Sequence, residues 1–275
     1  MAIQPLLILY GVIAFSFIIT SIFMFKPKSD ETVHIIFFWL AVALASLATF
    51  INATAIPAGE SVKTIVAWCG LLLAAVINRT NDYKIAEYYE QRGVRVFNPS
   101  ALSKIANDKQ LCYDFMEKNG IEIMPTHYKN PPFVKKPRDG HGGAGVVWCD
   151  SDEDYDENAV CQMPASDTGK DLRVWIIDNT IITAILRESK TDFRSNYCLG
   201  GRATPYNLSN EEIEKIKKIT ALIKGDYYAI DFVFNNSKIV FNEIEDTVGA
   251  RMVYDKTDID IIHLFCEHIK NQNIK

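Results

Sequence analysis

Hydrophobic positions are unevenly distributed along the chain. They run almost unbroken from Leu6 to Phe25 and again from Val33 to Ile56, where only His34, Asn52 and a few hydroxyl side chains interrupt them. Each run has about the 20 residues that a helix needs to cross a bilayer, so the pattern predicts two transmembrane helices. Met1 to Pro5 lacks the basic stretch that opens a signal peptide. A third apolar stretch, Ile65 to Ile77, is shorter. A third span over about 62–77 and a buried strand over 71–77 compete for it.

After Asn78 the pattern changes to short elements of alternating type. Residues Asp82 to Gln91 read as a helix with Ile85, Tyr88 and Tyr89 on one side, followed by a buried strand over Val94 to Phe97. Asn107 with Gln110 has capping-box spacing and opens a helix that ends near Asn119-Gly120. Phe133–Lys136 and Val146–Cys149 read as strands joined by a glycine-rich segment, and the acidic run Asp150 to Glu157 as a solvated loop. Leu172–Ile177 and Ile181–Leu186 form a hairpin across Asp178-Asn179. Ser209 and Glu212 cap a helix with Ile213, Ile216, Ile219 and Ile223 on one face. Tyr227–Phe234 and Lys238–Ile244 make a second hairpin. The reading is an α+β domain over 78–275 behind a membrane region over 1–77.

Composition narrows the function. The 275 residues carry a formal net charge of −5, and without a basic patch to neutralise phosphates a nucleic-acid partner is set aside. The six cysteines lack C-x-x-C or metal-ligand spacing and read as reduced thiols.

Three constellations carry candidate chemistry. Gly140, Gly142, Gly143 and Gly145 follow Lys136 in a loop whose backbone N–H groups can reach phosphate oxygens; alone, the loop reads equally as a flexible surface hairpin. His141 within it suits backbone hydrogen bonding or ligand contact. Glu243 and Glu245 are two apart in a strand and share a face, while Asp231 sits inside the otherwise apolar partner strand. Three such carboxylates suit Mg²⁺; a solvent-facing acidic face is the alternative, although it leaves Asp231 unexplained. Arg173, Arg187, Arg194 and Arg202 suit bidentate binding of carboxylates or phosphates, or surface ion pairs.

Taken in order, Gly93-Val-Arg-Val-Phe-Asn98, Asn107-Asp-Lys109, the segment Val134 to Gly145, Asp171-Leu-Arg173, Asp192-Phe-Arg-Ser-Asn196, Gly200-Gly201, Ala229-Ile-Asp231 and Asn242-Glu-Ile-Glu245 resemble the RimK-like branch of the ATP-grasp ligases. The resemblance covers about the last 195 residues of the sequence. It implies a two-lobed fold of antiparallel sheets with helices, the smaller lobe over about 102–161 and the larger over about 162–275. It implies that Lys109 and Lys136 hold the phosphates of ATP under a loop including Gly140, His141, Gly142 and Gly143. Gln162, Met163 and Pro164 would meet the adenine, with Asp171 and Arg173 also on the nucleotide side. Asp231, Glu243 and Glu245 would bind two Mg²⁺ (or Mn²⁺), and Arg187, Arg194 and Asn196 would face the reacting phosphate and the substrate carboxylate. The implied reaction joins a carboxylate to an amine of a small molecule or peptide through an acyl phosphate.

Two departures stand out. Glu245 occupies a position that is commonly Asn in the family. The α/β domain that usually precedes the ATP-binding lobes is reduced to about Leu73 to Gln91, with membrane segments in place of the rest. Lys26 and Lys28 favour the cytoplasmic side, and three spans then put the ATP-binding part in the cytoplasm. Two other readings remain: a membrane-tethered ATP-binding module without turnover, and a small membrane protein whose spans do the work. An oligomer is compatible with any of them.

Overall fold

In the computed structural model, residues 75–195 and 201–272 are described. The expected spans at 6–25 and 33–56 lie outside these residues, as do Cys69, Cys198 and Asn196. Among the described residues no helix is long and apolar enough to cross a membrane. The third expected span is corrected at its end: Ala75–Ile77 is a strand, β1, paired in parallel with β2 (Arg95–Phe97). The backbone groups of Ala75 to Ile77 are satisfied by that neighbour rather than within a helix.

Between them runs helix α1 (Tyr83–Glu90), capped by Asp82. Its buried residue is Ala86, whereas Ile85 and Tyr88 are exposed. The expected apolar side is therefore not the packed one. Helix α2 (Ser100–Ala106), not foreseen from sequence, leads into α3 (Lys109–Lys118). The cap of α3 is Asp108, whose carboxylate accepts from Leu111 N, and not Asn107. Asn107 closes α2 instead, donating from Nδ2 to Ser103 O.

A three-stranded antiparallel sheet in the order β4-β3-β5 follows, built from β3 (Phe133–Lys136), β4 (Val147–Cys149) and β5 (Val160–Gln162). One face buries Phe133, Cys149 and Cys161. Val134, Trp148, Lys136 and Gln162 share the other, because Val134 is opposite both Trp148 and Gln162 and Lys136 lies two residues on.

The larger sheet runs in the order β10-β9-β6-β7-β8, all antiparallel. Its strands are β6 (Lys170–Ile177), β7 (Thr180–Glu188), β8 (Arg202–Pro205), β9 (Tyr227–Asn235) and β10 (Lys238–Glu245). The face carrying Leu172, Val174, Ile230 and Phe232 packs on Ile216, Ile219 and Ile223 of helix α4 (Asn210–Leu222) and its C-cap, and on Leu102 and Met116. Burying each such aliphatic side chain contributes roughly 1.5–3 kcal/mol before conformational entropy is subtracted. The opposite face is apolar only at one end, where Trp175, Ile185, Tyr227 and Ala229 meet α5 (Arg251–Lys256) and α6 (Ile261–Asn271). The middle of that face carries charge. Residues 74–275 form one compact unit.

Candidate active site

Charge on the open face of the large sheet follows from strand register. Arg187 on β7 is opposite Asp171 on β6, Arg173 on β6 is opposite Asp231 on β9, and Asp231 is opposite Glu243 on β10. Directly opposed residues share a face, and Asp171 and Arg173 are two apart, so a row of charges crosses four strands, alternating in sign from Arg187 to Asp231 and ending on a second acid, Glu243.

The contacts are short and mostly buried. Arg187 donates from Nε and Nη2 to Asp171, and from Nη2 to Asp231 Oδ2 at 2.9 Å. Arg173 donates to both oxygens of Asp231 at 2.7 and 2.6 Å, and lies 3.4 Å from Glu245 Oε2. Asp231 is 1% exposed. Burial works against its charge, but the two guanidinium groups outweigh burial and hold the carboxyl at about 2. For Asp171, burial wins over Arg187 and raises the carboxyl above its ordinary range. Burial likewise raises Glu245 despite Arg173. Arg187 keeps its Nη1 group without a partner among the described residues, and the residue lines a cleft between the two sheets.

That cleft is open to solvent and spans about 900 Å³, its solvent-facing mouth included. Lys136 enters it from the small sheet and donates to Gln162 Oε1 at 2.7 Å, Asn242 Oδ1 at 2.9 Å and the Tyr113 hydroxyl at 3.1 Å. All three acceptors are neutral. Burial pushes its ammonium down to about 8, with Glu243 offsetting part of the shift. Tyr113 carried no functional signal in the sequence, and Asn242 stood there only as part of the Asn242-Glu-Ile-Glu245 motif, with no role of its own. A bulge between Phe241 and Glu243 breaks the strand's alternation and lets the neighbours Asn242 and Glu243 both line the cleft.

Lys109, at the start of α3, bonds Gly140 O at 2.7 Å and pairs with Glu243 Oε2 at 2.8 Å. Burial disfavours both charges, yet the pairing raises Lys109 and lowers Glu243 relative to their ordinary values. Gly140 and Gly143 line the cleft, and Gly142, Gly143 and Gly145 have positive φ, the conformation glycine adopts without steric cost. The loop touches the large lobe: Arg194 Nη1 lies 3.4 Å from Gly143 O and Trp148 packs edge-on against Phe193. Arg194 is also paired with Asp192. It therefore sits at the rim, apart from the buried row of charges. Asn196 lies outside the described residues. The His141 carbonyl accepts from the Ala144 N–H at 3.1 Å, which serves the loop's own turn, while the imidazole favours the charged form of Glu245.

Beside Gln162, the cleft is also lined by Met124, Met163, Pro164 and Ala165. Gln162 is held in β5, the Met163 N–H donates to Pro125 O at 2.9 Å, and proline has no N–H. In the linker over 162–165, on the way from β5 to β6, the main-chain donor without a partner among the described residues is the N–H of Ala165, a group that no side-chain signal marks in the sequence.

Hard-cation ligands were expected at Asp231, Glu243 and Glu245. All three sit on neighbouring strands, but no group of three acidic, His or Cys residues among the described residues is close enough to form one metal cluster. Cationic side chains contact each carboxylate instead. Asp231 has both oxygens engaged, whereas Glu243 and Glu245 each have one oxygen in contact and keep the other. Oxygen donors that already attract cations fit Mg²⁺ in kind, with Glu243 and Glu245 the more available.

A RimK-like ATP-grasp domain matches residues 106–269, more than half of the chain, and the protein belongs to that family. Among its relatives, the uncharacterized protein MG011 homolog of Mycoplasma pneumoniae is 30% identical over 191 residues, covering 64% of this chain and 67% of the relative. A probable alpha-L-glutamate ligase of Saccharophagus degradans is 23% identical over 212 residues, 68% of this chain and 70% of the relative. The fold is similar to that of the ATP-grasp ligase PsnB complexed with a minimal precursor, with a TM-score of 0.55, 18% identity, and coverage of 72% of this chain and 77% of that one. It is also similar to the D-alanine-D-alanine ligase of Helicobacter pylori, with a TM-score of 0.54, 16% identity, and coverage of 73% and 71%.

Proposed function

We propose that the protein is an ATP-dependent ligase that joins a carboxylate to an amine through an acyl phosphate. The observation that carries this reading is one cleft holding two lysines, a glycine loop and a guanidinium anchored between two carboxylates. ATP would lie with its adenine against the linker, the amino group on the Met163 carbonyl and a ring nitrogen on the Ala165 N–H. Its phosphates would take Lys136 from Gln162 and Asn242, and Lys109 from Glu243. The glycine loop, touching Arg194 and Phe193, would cover them and keep water from the mixed anhydride.

Arg187 is the residue we assign to the reacting centre. Asp171 and Asp231 fix one edge of its guanidinium, which leaves Nη1 for the transferring phosphoryl group or the substrate carboxylate without side-chain ordering at the moment of reaction. Arg173 would hold Asp231 and Glu245 in place. Glu243 and Glu245, with Asp231 behind them, would hold Mg²⁺, which neutralises phosphate charge when bound. The substrate carboxylate attacks the γ-phosphorus and ADP leaves; the amine then attacks the acyl carbon and phosphate leaves.

The test is ADP release by the full-length chain in detergent, with Mg²⁺ and a panel of amino acids, peptides and carboxylates, compared with Lys136→Met and Glu243→Gln. Release that requires both a carboxylate and an amine, and that both substitutions abolish, supports the ligase. ATP binding without release across the panel would replace it with the tethered binding module. Attachment through 6–25 and 33–56 rests on the sequence alone; recovery of the chain in the supernatant after carbonate washing of membranes would refute it.

A further inference from the structure

Asp246 is a buried acid to which the proposed chemistry gives no role. It is 3% exposed, and it directly follows Glu245 at the end of β10. Its carboxylate accepts from Ser103 Oγ at 2.6 Å, and its two oxygens accept from Asn107 Nδ2 at 3.2 and 3.1 Å. Its carbonyl accepts from Asn98 Nδ2 at 2.8 Å and Arg79 Nη1 at 3.2 Å. Among the described residues no cation is within ion-pair distance of the carboxylate, since the Arg79 guanidinium bonds carbonyls, those of Asp246 and Val248.

A buried carboxylate held by neutral donors is a poor choice for stability alone. Its position offers another reason. The carboxylate's donors are Ser103 in α2 and Asn107, the residue that closes that helix, while the carbonyl's come from the β1–α1 loop and the β2–α2 corner. Asn107 is two residues before Lys109, and Asp246 is three residues after Glu243. Lys109 and Glu243 are themselves 2.8 Å apart. The chain from Asn107 to Lys109, the Lys109–Glu243 pair, β10 to Asp246, and the Asp246–Asn107 bond form a closed ring.

We infer that Asp246 is a positioning residue: it fixes the start of α3 against the end of β10 and so sets the separation of Lys109 and Glu243, the two groups that would grip the phosphates and their cation. This rests on the nucleotide reading above but adds a residue that the reading does not need. A purely structural Asp246 would weaken the fold without acting through Lys109.

Non-additivity separates the two roles. Affinity for Mg²⁺·ATP is measured by calorimetry on the full chain for wild type, Asp246→Asn, Lys109→Met and the double variant. Asp246→Asn is expected to weaken binding by about tenfold alone and by less than about twofold in the Lys109→Met background, a coupling of the size seen within shared networks. Equal factors in both backgrounds, or no loss in a folded Asp246→Asn protein, overturn the inference. If Asp246→Asn does not fold, Ser103→Ala, which removes one donor, takes its place in the cycle. Urea midpoints of the same four proteins without nucleotide provide an independent check. Shifts that fail to add support the ring, and additive shifts overturn it even if wild type binds no ATP, a result that would also remove the nucleotide reading.

Discussion

Lys136 shows what burial does to a single group. Its folded value of about 8 lies below the ordinary 10.5, so between these values the unfolded chain holds the proton and the folded chain does not. In this window the group's contribution to stability rises with pH, and below about 8 the buried ammonium opposes folding. Phosphate binding requires the ammonium, which gives the opposite trend for ligand: affinity for ATP is expected to fall about tenfold from about pH 7 to about pH 9, an effect measurable by titration calorimetry and absent from Lys136→Met. Asp231 behaves differently because it serves two guanidinium groups. Asp231→Asn leaves Arg173 and Arg187 without their shared counter-charge and is expected to cost about 3–5 kcal/mol in urea denaturation. That loss would confuse any activity assay of the variant, whereas the half-buried Glu243 is a cleaner site for substitution.

The glycine hairpin between β3 and β4 is an element whose geometry is set by backbone rather than by side chains. Gly145 has φ +69°, and a Cβ there would stand 2.7 Å from Pro137 Cγ; Gly142 has φ +62° with nothing within 4 Å of such a Cβ. Both substitutions to Ala carry the left-handed backbone penalty of roughly 1 kcal/mol, but only Gly145→Ala also displaces the proline ring. Gly145→Ala is therefore expected to raise the KM for ATP several-fold more than Gly142→Ala, in the ADP-release assay. The β9–β10 hairpin makes a related point, since one bulged residue determines whether Asn242 faces the core or the cleft.

For the described part as a whole, the two sides of the cleft meet through Lys136 with Asn242, Arg194 with Gly143 and Trp148 with Phe193, among other contacts. A nucleotide bound to both would join them. At a concentration about 100 times its dissociation constant it is expected to add about 2.7 kcal/mol to unfolding, or about 5–10 °C for a domain of this size. Thermal scans with and without Mg²⁺·ATP check this, and a shift below about 2 °C at that concentration would overturn it. The row of charge on the large sheet is also a property of this scale: it exists because β6 pairs with β9, strands that lie about 55 residues apart in the chain.

Much of this protein was legible in its residues one segment at a time. The apolar, β-branched runs flanking turn residues in Leu172–Leu186 and Tyr227–Ile244, the Ser209 cap, the glycine loop and the two-residue spacing of Glu243 and Glu245 are local signals, set by side-chain type and turn chemistry within a few residues. What such signals miss is short or depends on a distant partner. Strands β5 and β8, of three and four residues, went unread, and they exist through pairing with β3 and β7. Ile85 and Tyr88 form an apolar side that the fold leaves exposed. Asp108 rather than Asn107 caps α3, because Asn107 is drawn to Asp246, 139 residues away. The same reason explains the site: the sequence by itself determined which charged groups exist, whereas tertiary structure decided that Asp231 neutralises two arginines, that Lys109 meets Glu243, and that the linker's free donor is Ala165, since charge and hydrogen bonding act between groups that only folding brings within reach.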